Sequence, residues 1–261
     1  MIRLVCIDVD GTLVGAGGVA ARVWPAVERA RARGLRLALC SGRPAFGGTR
    51  ALAAQVEPAG WHVFQNGASI LHLATGRSLS ARHEPATIAR LVARAREVDR
   101  VLEIYTDFDY AVESRGDRAR RHAALLGLPF APRAFESLAG TIVRAQWMVP
   151  LEEEAQVLAE PHGDLEVAPS TAPAMPDTCF INFTPRGVSK ASAVGELARE
   201  YGVSLAEVMF IGDGLNDLAA LRLVGHPVAM ANAAPQVLQA ARLRVASADE
   251  GGVADALEAA L

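Results

Sequence analysis

Residues Ile7–Gly18 read IDVDGTLVGAGG and continue the apolar run IRLVC (Ile2–Cys6) without a break. If that run is a strand, side-chain alternation points Asp8 and Asp10 the same way. Like charges this close raise each other's cost of ionisation unless a cation lies between them or one keeps its proton. Such a pair at the end of an apolar strand marks a site rather than a packed core. In an open parallel sheet, ligands bind outside the carboxyl ends of the strands. The residues just beyond each further strand are therefore the candidates to join the pair.

Apolar β-rich runs alternate with alanine-rich helical stretches. Residues 2–7 read as a strand, 20–33 as an amphipathic helix closed by Gly34, 35–40 as a second strand, 44–55 as a helix and 61–65 as a third strand. A Gly76-centred turn joins 70–73 to 78–81 as a hairpin. After Arg186 the alternation resumes, with helices at 188–201, 215–223, 235–241 and 253–261 and strands at 208–211, 228–230 and 243–246. This order predicts an α/β, Rossmann-like, doubly wound core with a mostly parallel sheet. Between His83 and Thr184 the order changes to helix, paired strands, helix, strand, helix, paired strands. That segment predicts an inserted α+β domain, residues 83–185, dividing the core into 1–82 and 186–261. Within it, the proline-rich APSTAPAMPD (Ala168–Asp177) reads as a loop.

The strand ends carry polar groups in a consistent series. The first gives Asp8-Val-Asp10-Gly11-Thr12, the second Ser41-Gly42-Arg43, and the third Asn66-Gly67. A strand of the second half gives Gly212-Asp213-Gly-Leu-Asn216-Asp217. Lys190 stands early in the helix entering that half. It is the only lysine in the chain, every other residue counted with it as basic being arginine. Four carboxylates, a hydroxyl and an ammonium suit one divalent cation beside one phosphoryl group. Mg2+ takes oxygen ligands in near-octahedral geometry and keeps some water. Asp8 and Asp213 would supply carboxylate oxygens, Asp10 a backbone carbonyl, and Asp217 with Asn216 would hold ligated water. Asp8 would then attack phosphorus to give an aspartyl-phosphate. Asp10 would protonate the leaving alkoxide and later deprotonate water. Ser41, Lys190 and N–H groups around Asp10–Gly11 would hold the non-bridging oxygens, with Gly42, Arg43, Asn66 and Asn216 completing the phosphate-binding set.

The motifs DVDGTL, SGR, Lys190 after RGVS, and GDGLND resemble those of the haloacid dehalogenase superfamily, in particular its Cof-type phosphatases. NGA at Asn66–Ala68, AMANA at Ala229–Ala233 and the late DEGGVA look like the same group. The resemblance covers both core halves. It implies an α+β cap inserted after the third core strand, Asp8 as nucleophile, Asp10 as acid and base, Ser41 and Lys190 as phosphate holders, and Asp213 and Asp217 as the magnesium-binding acids. The cap segment carries no motif of this kind, so the resemblance is silent on substrate contacts there.

Bulk properties agree with a small-molecule enzyme. At 261 residues with 51% apolar content and a formal net charge of -3, the chain has a sizeable core and no global basic field for nucleic acid. No apolar run approaches the roughly 18 residues of a bilayer span, and the start of the chain lacks a signal-peptide pattern. Three scattered cysteines (Cys6, Cys40, Cys179) suit a reducing cytoplasm. The expectation is a cytoplasmic magnesium-dependent phosphatase of small phosphorylated metabolites, with sugar phosphates the class that the family resemblance implies, acting as a monomer or homodimer without nucleic acid or membrane.

Other readings fit less well. Gly15–Ala20 fits a dinucleotide fingerprint but stands too far beyond the first strand, so a loop leading to a helix is the better reading. The six histidines have no ligand spacing, and Asp107 and Asp109 read as a solvated hairpin. A phosphomutase would use the same residues while keeping its phosphoryl group from water. A phosphoacceptor signalling module is about half this length, and a non-catalytic phosphate-binding regulator would not need the full acid set.

Overall fold

A computed structural model describes residues 1–172 and 174–261. The first half of the chain forms β1 (Leu4–Ile7), α1 (Val23–Ala32), β2 (Arg36–Leu39), α2 (Gly48–Val56), β3 (Trp61–Phe64), β4 (Ser69–His72), α3 (Pro85–Glu97), β5 (Val101–Tyr105), β6 (Tyr110–Val112) and α4 (Asp117–Leu125). There follow β7 (Arg144–Pro150), α5 (Glu154–Leu158), β8 (Leu165–Ala172), β9 (Met175–Pro185), α6 (Lys190–Glu200), β10 (Val208–Gly212), α7 (Leu218–Leu223), β11 (His226–Met230), α8 (Pro235–Ala240), β12 (Leu243–Val245) and α9 (Gly252–Ala260). These elements make two compact units, 1–43 with 51–79 and 189–261, and 80–188 with 44–50.

The first unit is an α/β sandwich around a parallel sheet of order β12-β11-β10-β1-β2. Alternation along β1 sends Leu4 and Cys6 into a core with Val194 and Leu197 of α6, Leu221 of α7 and Val237 of α8. Val5 and Ile7, equally buried, point to the opposite face. There α1 packs on α9, and α9 on β10, β11 and β12. Helices thus cover both faces, which is why the strands are apolar throughout.

The third core strand differs from expectation. β3 pairs antiparallel with β4 and meets the end of β2 through one parallel bridge, Cys40 to Val63. The cause is His62, fully buried, whose Nδ1 accepts the Leu39 N–H at 3.0 Å in place of a backbone carbonyl. Its Nε2 then carries the proton and donates to the Glu57 carbonyl at 2.8 Å. The hairpin expected around Gly76 shrinks to a single bridge between Leu71 and Ser78.

In the second unit an antiparallel sheet of order β6-β5-β7-β9-β8 carries helices. One face sends Leu102, Ile104, Ala145, Trp147, Ile181 and Phe183 against Leu91 and Val92 of α3 and Val157 of α5. Trp147 meets Phe183 edge-on, with centroids 4.7 Å apart. The other face buries a polar row, Glu103, Tyr105, Arg144, Gln146 and Asn182. There the Tyr105 hydroxyl donates to Glu103, whose Oε2 lies 2.8 Å from His122 Nδ1 of α4.

Two expectations fail here. The APSTAPAMPD segment is not a loop: β8 runs to Ala172 and β9 starts at Met175, with residue 173 outside the described residues. β8 is an edge strand, where proline's missing N–H breaks no ladder on the open side. Pro169 pairs opposite Ile181, and Pro176 falls where the register shifts, next to Thr171 and Ala172. Asp107 is not solvated either; it is 7% exposed and accepts the Ser80 hydroxyl at 2.7 Å. Among the described residues no helix is long and apolar enough to cross a membrane.

Candidate active site

Asp8 follows β1 directly, and its N–H bonds to the Ile211 carbonyl of β10 at 2.9 Å. The chain then curls back: Leu13 N–H reaches the Asp8 carbonyl, Val14 N–H reaches Val9, and Gly11 N–H reaches Val14. Gly11 makes that curl possible with φ +81°. It also makes room, since a Cβ there would stand 2.2 Å from Asp213 Oδ2.

Asp213 leaves the end of β10, half-buried, with its Oδ1 accepting the Thr12 hydroxyl at 2.7 Å. Asp217, fully buried in the turn before α7, accepts the N–H groups of Asp213 (3.1 Å) and Gly214 (3.0 Å) on Oδ2. One carboxylate oxygen from each of Asp8, Asp213 and Asp217 lies within 4.8 Å of the others. Lys190 Nζ stands among them, 2.5 Å from Asp8 Oδ1 and 2.6 Å from Asp217 Oδ1. Lys190 opens α6, where the helix dipole disfavours a cation, so its position serves the acids rather than the helix.

The electrostatics are unbalanced. Burial and the neighbouring Asp217 raise the Asp8 carboxyl well above its ordinary range, and Lys190 offsets this only in part. Burial also raises Asp213, against the Thr12 hydrogen bond, with Asp217 adding to the rise. Burial works against the Lys190 charge, yet Asp8 and Asp217 hold its pKa above the usual lysine value. Three acids against one ammonium leave net negative charge in a pocket of hard oxygen donors. That donor set fits Mg2+, and Asp8, Asp213 and Asp217 are the side chains that would hold it.

The other predicted residues surround this cluster. Asp10 stands outside it, its carboxylate more than half exposed and gripped by the Arg43 fork, with Nε 2.9 Å from Oδ2 and Nη2 on Oδ1. Its side chain is therefore not among the clustered ligand atoms, and Arg43 is engaged by Asp10. Ser41, fully buried, accepts the Arg43 N–H on Oγ at 3.0 Å. Gly42 packs on the Asn66 carboxamide, which a Cβ would approach to 3.2 Å. Asn66 follows Gln65 in the left-handed region, φ +56° after +54°. Its N–H bonds to the Ser41 carbonyl and its Oδ1 accepts Asn216 Nδ2 at 3.1 Å. Gly67 closes the turn against α6, where a Cβ would sit 2.2 Å from the Ser189 carbonyl oxygen. The glycine stretch after β1 is a tight turn in which Gly17 N–H donates to Asp249 at 3.1 Å.

Two groups at the site were given no role from the sequence. Thr12 orients Asp213 through its hydroxyl, and Asn232 joins Asp213 to the loop after β1. Asn232 follows β11, so the strand-end rule that found the acids extends to it.

The profile of haloacid dehalogenase-like hydrolases matches residues 5–257. The chain belongs to that family. A solved haloacid dehalogenase-like hydrolase from Bacteroides thetaiotaomicron superposes with TM-score 0.88 at 26% identity over 100% of both chains. A relative from Streptococcus pyogenes serotype M6 is 27% identical across 98% of this chain and 97% of its own length. The HMP-PP phosphatase of Serratia proteamaculans is 28% identical across 91% of this chain and 86% of that protein. Family, fold and acid cluster together make this haloacid dehalogenase-like protein a magnesium-dependent hydrolase of the phosphatase type.

Proposed function

We propose that the chain hydrolyses small phosphorylated metabolites, with sugar phosphates as the leading substrate class, and that Asp8 is its nucleophile. The observation carrying this reading is the placement of Asp8 against Lys190 and within 4.8 Å of Asp213 and Asp217. Bound Mg2+ supplies positive charge that offsets the carboxylates and the phosphoryl oxygens during attack. An Asp8 oxygen forms a bond to phosphorus while the bond from phosphorus to the alcohol oxygen breaks. Asp10 gives its proton to that oxygen, then takes one from water, and the resulting hydroxide frees Asp8 and releases inorganic phosphate. Arg43 orients Asp10 for both transfers. Ser41 already accepts the Arg43 N–H, so its own hydroxyl proton is left for a phosphate oxygen, and the Lys190 ammonium supplies positive charge to the same group. Residues 83–185 act as the cap that selects the leaving group.

Phosphate release from a panel of sugar phosphates, nucleotides and phosphoamino acids, with and without EDTA, tests the reading. Hydrolysis of sugar phosphates that EDTA stops and that is missing in Asp8→Asn supports it. An isomeric phosphate ester without phosphate release would make the protein a mutase.

A further inference from the structure

Asn232 is solvent-exposed on the turn between β11 and α8, yet both ends of its carboxamide are engaged. Nδ2 donates to the Gly11 carbonyl at 2.8 Å and lies 3.5 Å from Asp213 Oδ2, while Oδ1 accepts the Ala248 N–H at 3.0 Å. These partners come from three segments, after β1, after β10 and after β12. The orientation of the amide has one solution: Ala248 is a donor and Gly11 O an acceptor, so the amide oxygen faces the first and the NH2 the second. That orientation turns the second N–H towards Asp213.

Asp213 needs such a partner. The Thr12 hydroxyl holds Oδ1 at 2.7 Å, a contact to one of the carboxylate's two oxygens. Oδ2 rests over Gly11, where the missing Cβ would be 2.2 Å away. The same amide therefore pins the floor, through the Gly11 carbonyl, and the carboxylate above it.

We propose that Asn232 is a positioning residue for the cation site: its carboxamide holds the loop after β1 against Asp213 and sets the plane in which that carboxylate meets Mg2+. This rests on reading Asp213 as a cation ligand. Asn232 touches neither ion nor substrate. Its effect belongs to ion affinity, where partners of metal ligands typically matter by about 10–100-fold.

Calorimetric titration of Mg2+ into purified protein without substrate tests the proposal. Asn232→Ala is expected to raise the Mg2+ dissociation constant about tenfold or more. Asp249→Ala serves as the comparison, because Asp249 pins the nearby glycine turn through Gly17 without contacting Asp213; it is expected to bind Mg2+ as the native protein does. Should Asn232→Ala fail to fold, Asn232→Leu, with the same side-chain branching and without the amide, receives the same titration with the same expectation. The proposal is overturned if the Asn232 variant binds Mg2+ within twofold of native, or if Asp249→Ala weakens binding as much. Asp213→Asn separates the two levels. Native Mg2+ affinity in that variant overturns the cation-site reading itself, whereas loss there with native affinity in the Asn232 variant overturns only the positioning role.

Discussion

Asp8→Asn is expected to abolish activity and at the same time stabilise the protein in the absence of metal. Asp8 lies no more than 4.8 Å from ligand oxygens of Asp213 and Asp217. At an effective dielectric near 20, each repulsion is worth about 3.5 kcal/mol, so about 7 kcal/mol for the two. The Lys190 ammonium, 2.5 Å away, returns about 7 kcal/mol by the same rule. The charges cancel, and the burial of an ionised group at 5% exposure is left uncompensated. Asparagine removes that cost together with the two repulsions and the Lys190 charge attraction that offsets them, while its Oδ1 still accepts the Lys190 N–H. After relaxation, a gain of about 1–2 kcal/mol is expected in EDTA, a rise of about 2 °C or more in melting temperature. Adding Mg2+ should narrow or invert the gap. The native protein gains about 2.7 kcal/mol at a hundredfold excess over its dissociation constant, and the variant, with one ligand fewer, gains less. Scanning calorimetry in EDTA and in Mg2+, beside p-nitrophenyl phosphate hydrolysis reduced more than about 10³-fold, is the assay. A lower melting temperature for Asp8→Asn in EDTA would refute the reasoning.

The same imbalance has a pH signature. Asp8 and Asp213 have folded pKa values raised above the ordinary 3.8, chiefly by burial, so their contribution to stability is complete below that value and lost as pH rises through the folded values. The stability gap between Asp8→Asn and native protein in EDTA should therefore widen as pH rises above the ordinary carboxylate value in thermal melts. Gly11→Ala forces a Cβ to 2.2 Å from Asp213 Oδ2 at a φ of +81°, and is expected to weaken Mg2+ binding by calorimetry and cost about 1–3 kcal/mol in urea unfolding. Lys190→Arg places a wide guanidinium where the lysine is 1% exposed; a loss of about 1–3 kcal/mol and of p-nitrophenyl phosphate hydrolysis is expected. Trp147→Ala should cost about 3–5 kcal/mol in urea unfolding, because the ring is buried between Phe183 and the Arg100 guanidinium.

The order of elements was legible because helical and strand periods alternate cleanly and punctuation is local, as at Gly34 after α1. Convergence of Asp8, Asp213, Asp217 and Lys190 was legible for a topological reason: parallel strands end at one edge, so residues far apart in sequence meet there. The features that stayed hidden depended on long-range pairing. Nothing near Pro169 announces that β8 lies at a sheet edge, and nothing near His62 announces that its ring replaces a backbone acceptor. Asp107 looked like a hairpin acid because its partner, Ser80, lies 27 positions earlier. Asn232 was visible as a residue but not as a tie, since its role exists only once three loops are folded together.

The lone lysine has a practical corollary. A protease specific for lysine has one peptide bond to cut, after Lys190 in the first turn of α6, and the folded protein buries that side chain among its acids. Cleavage requires the pocket to open, so splitting into fragments 1–190 and 191–261 reports local opening of the site with no label attached: its population at low protease, and its rate once cleavage outpaces reclosing.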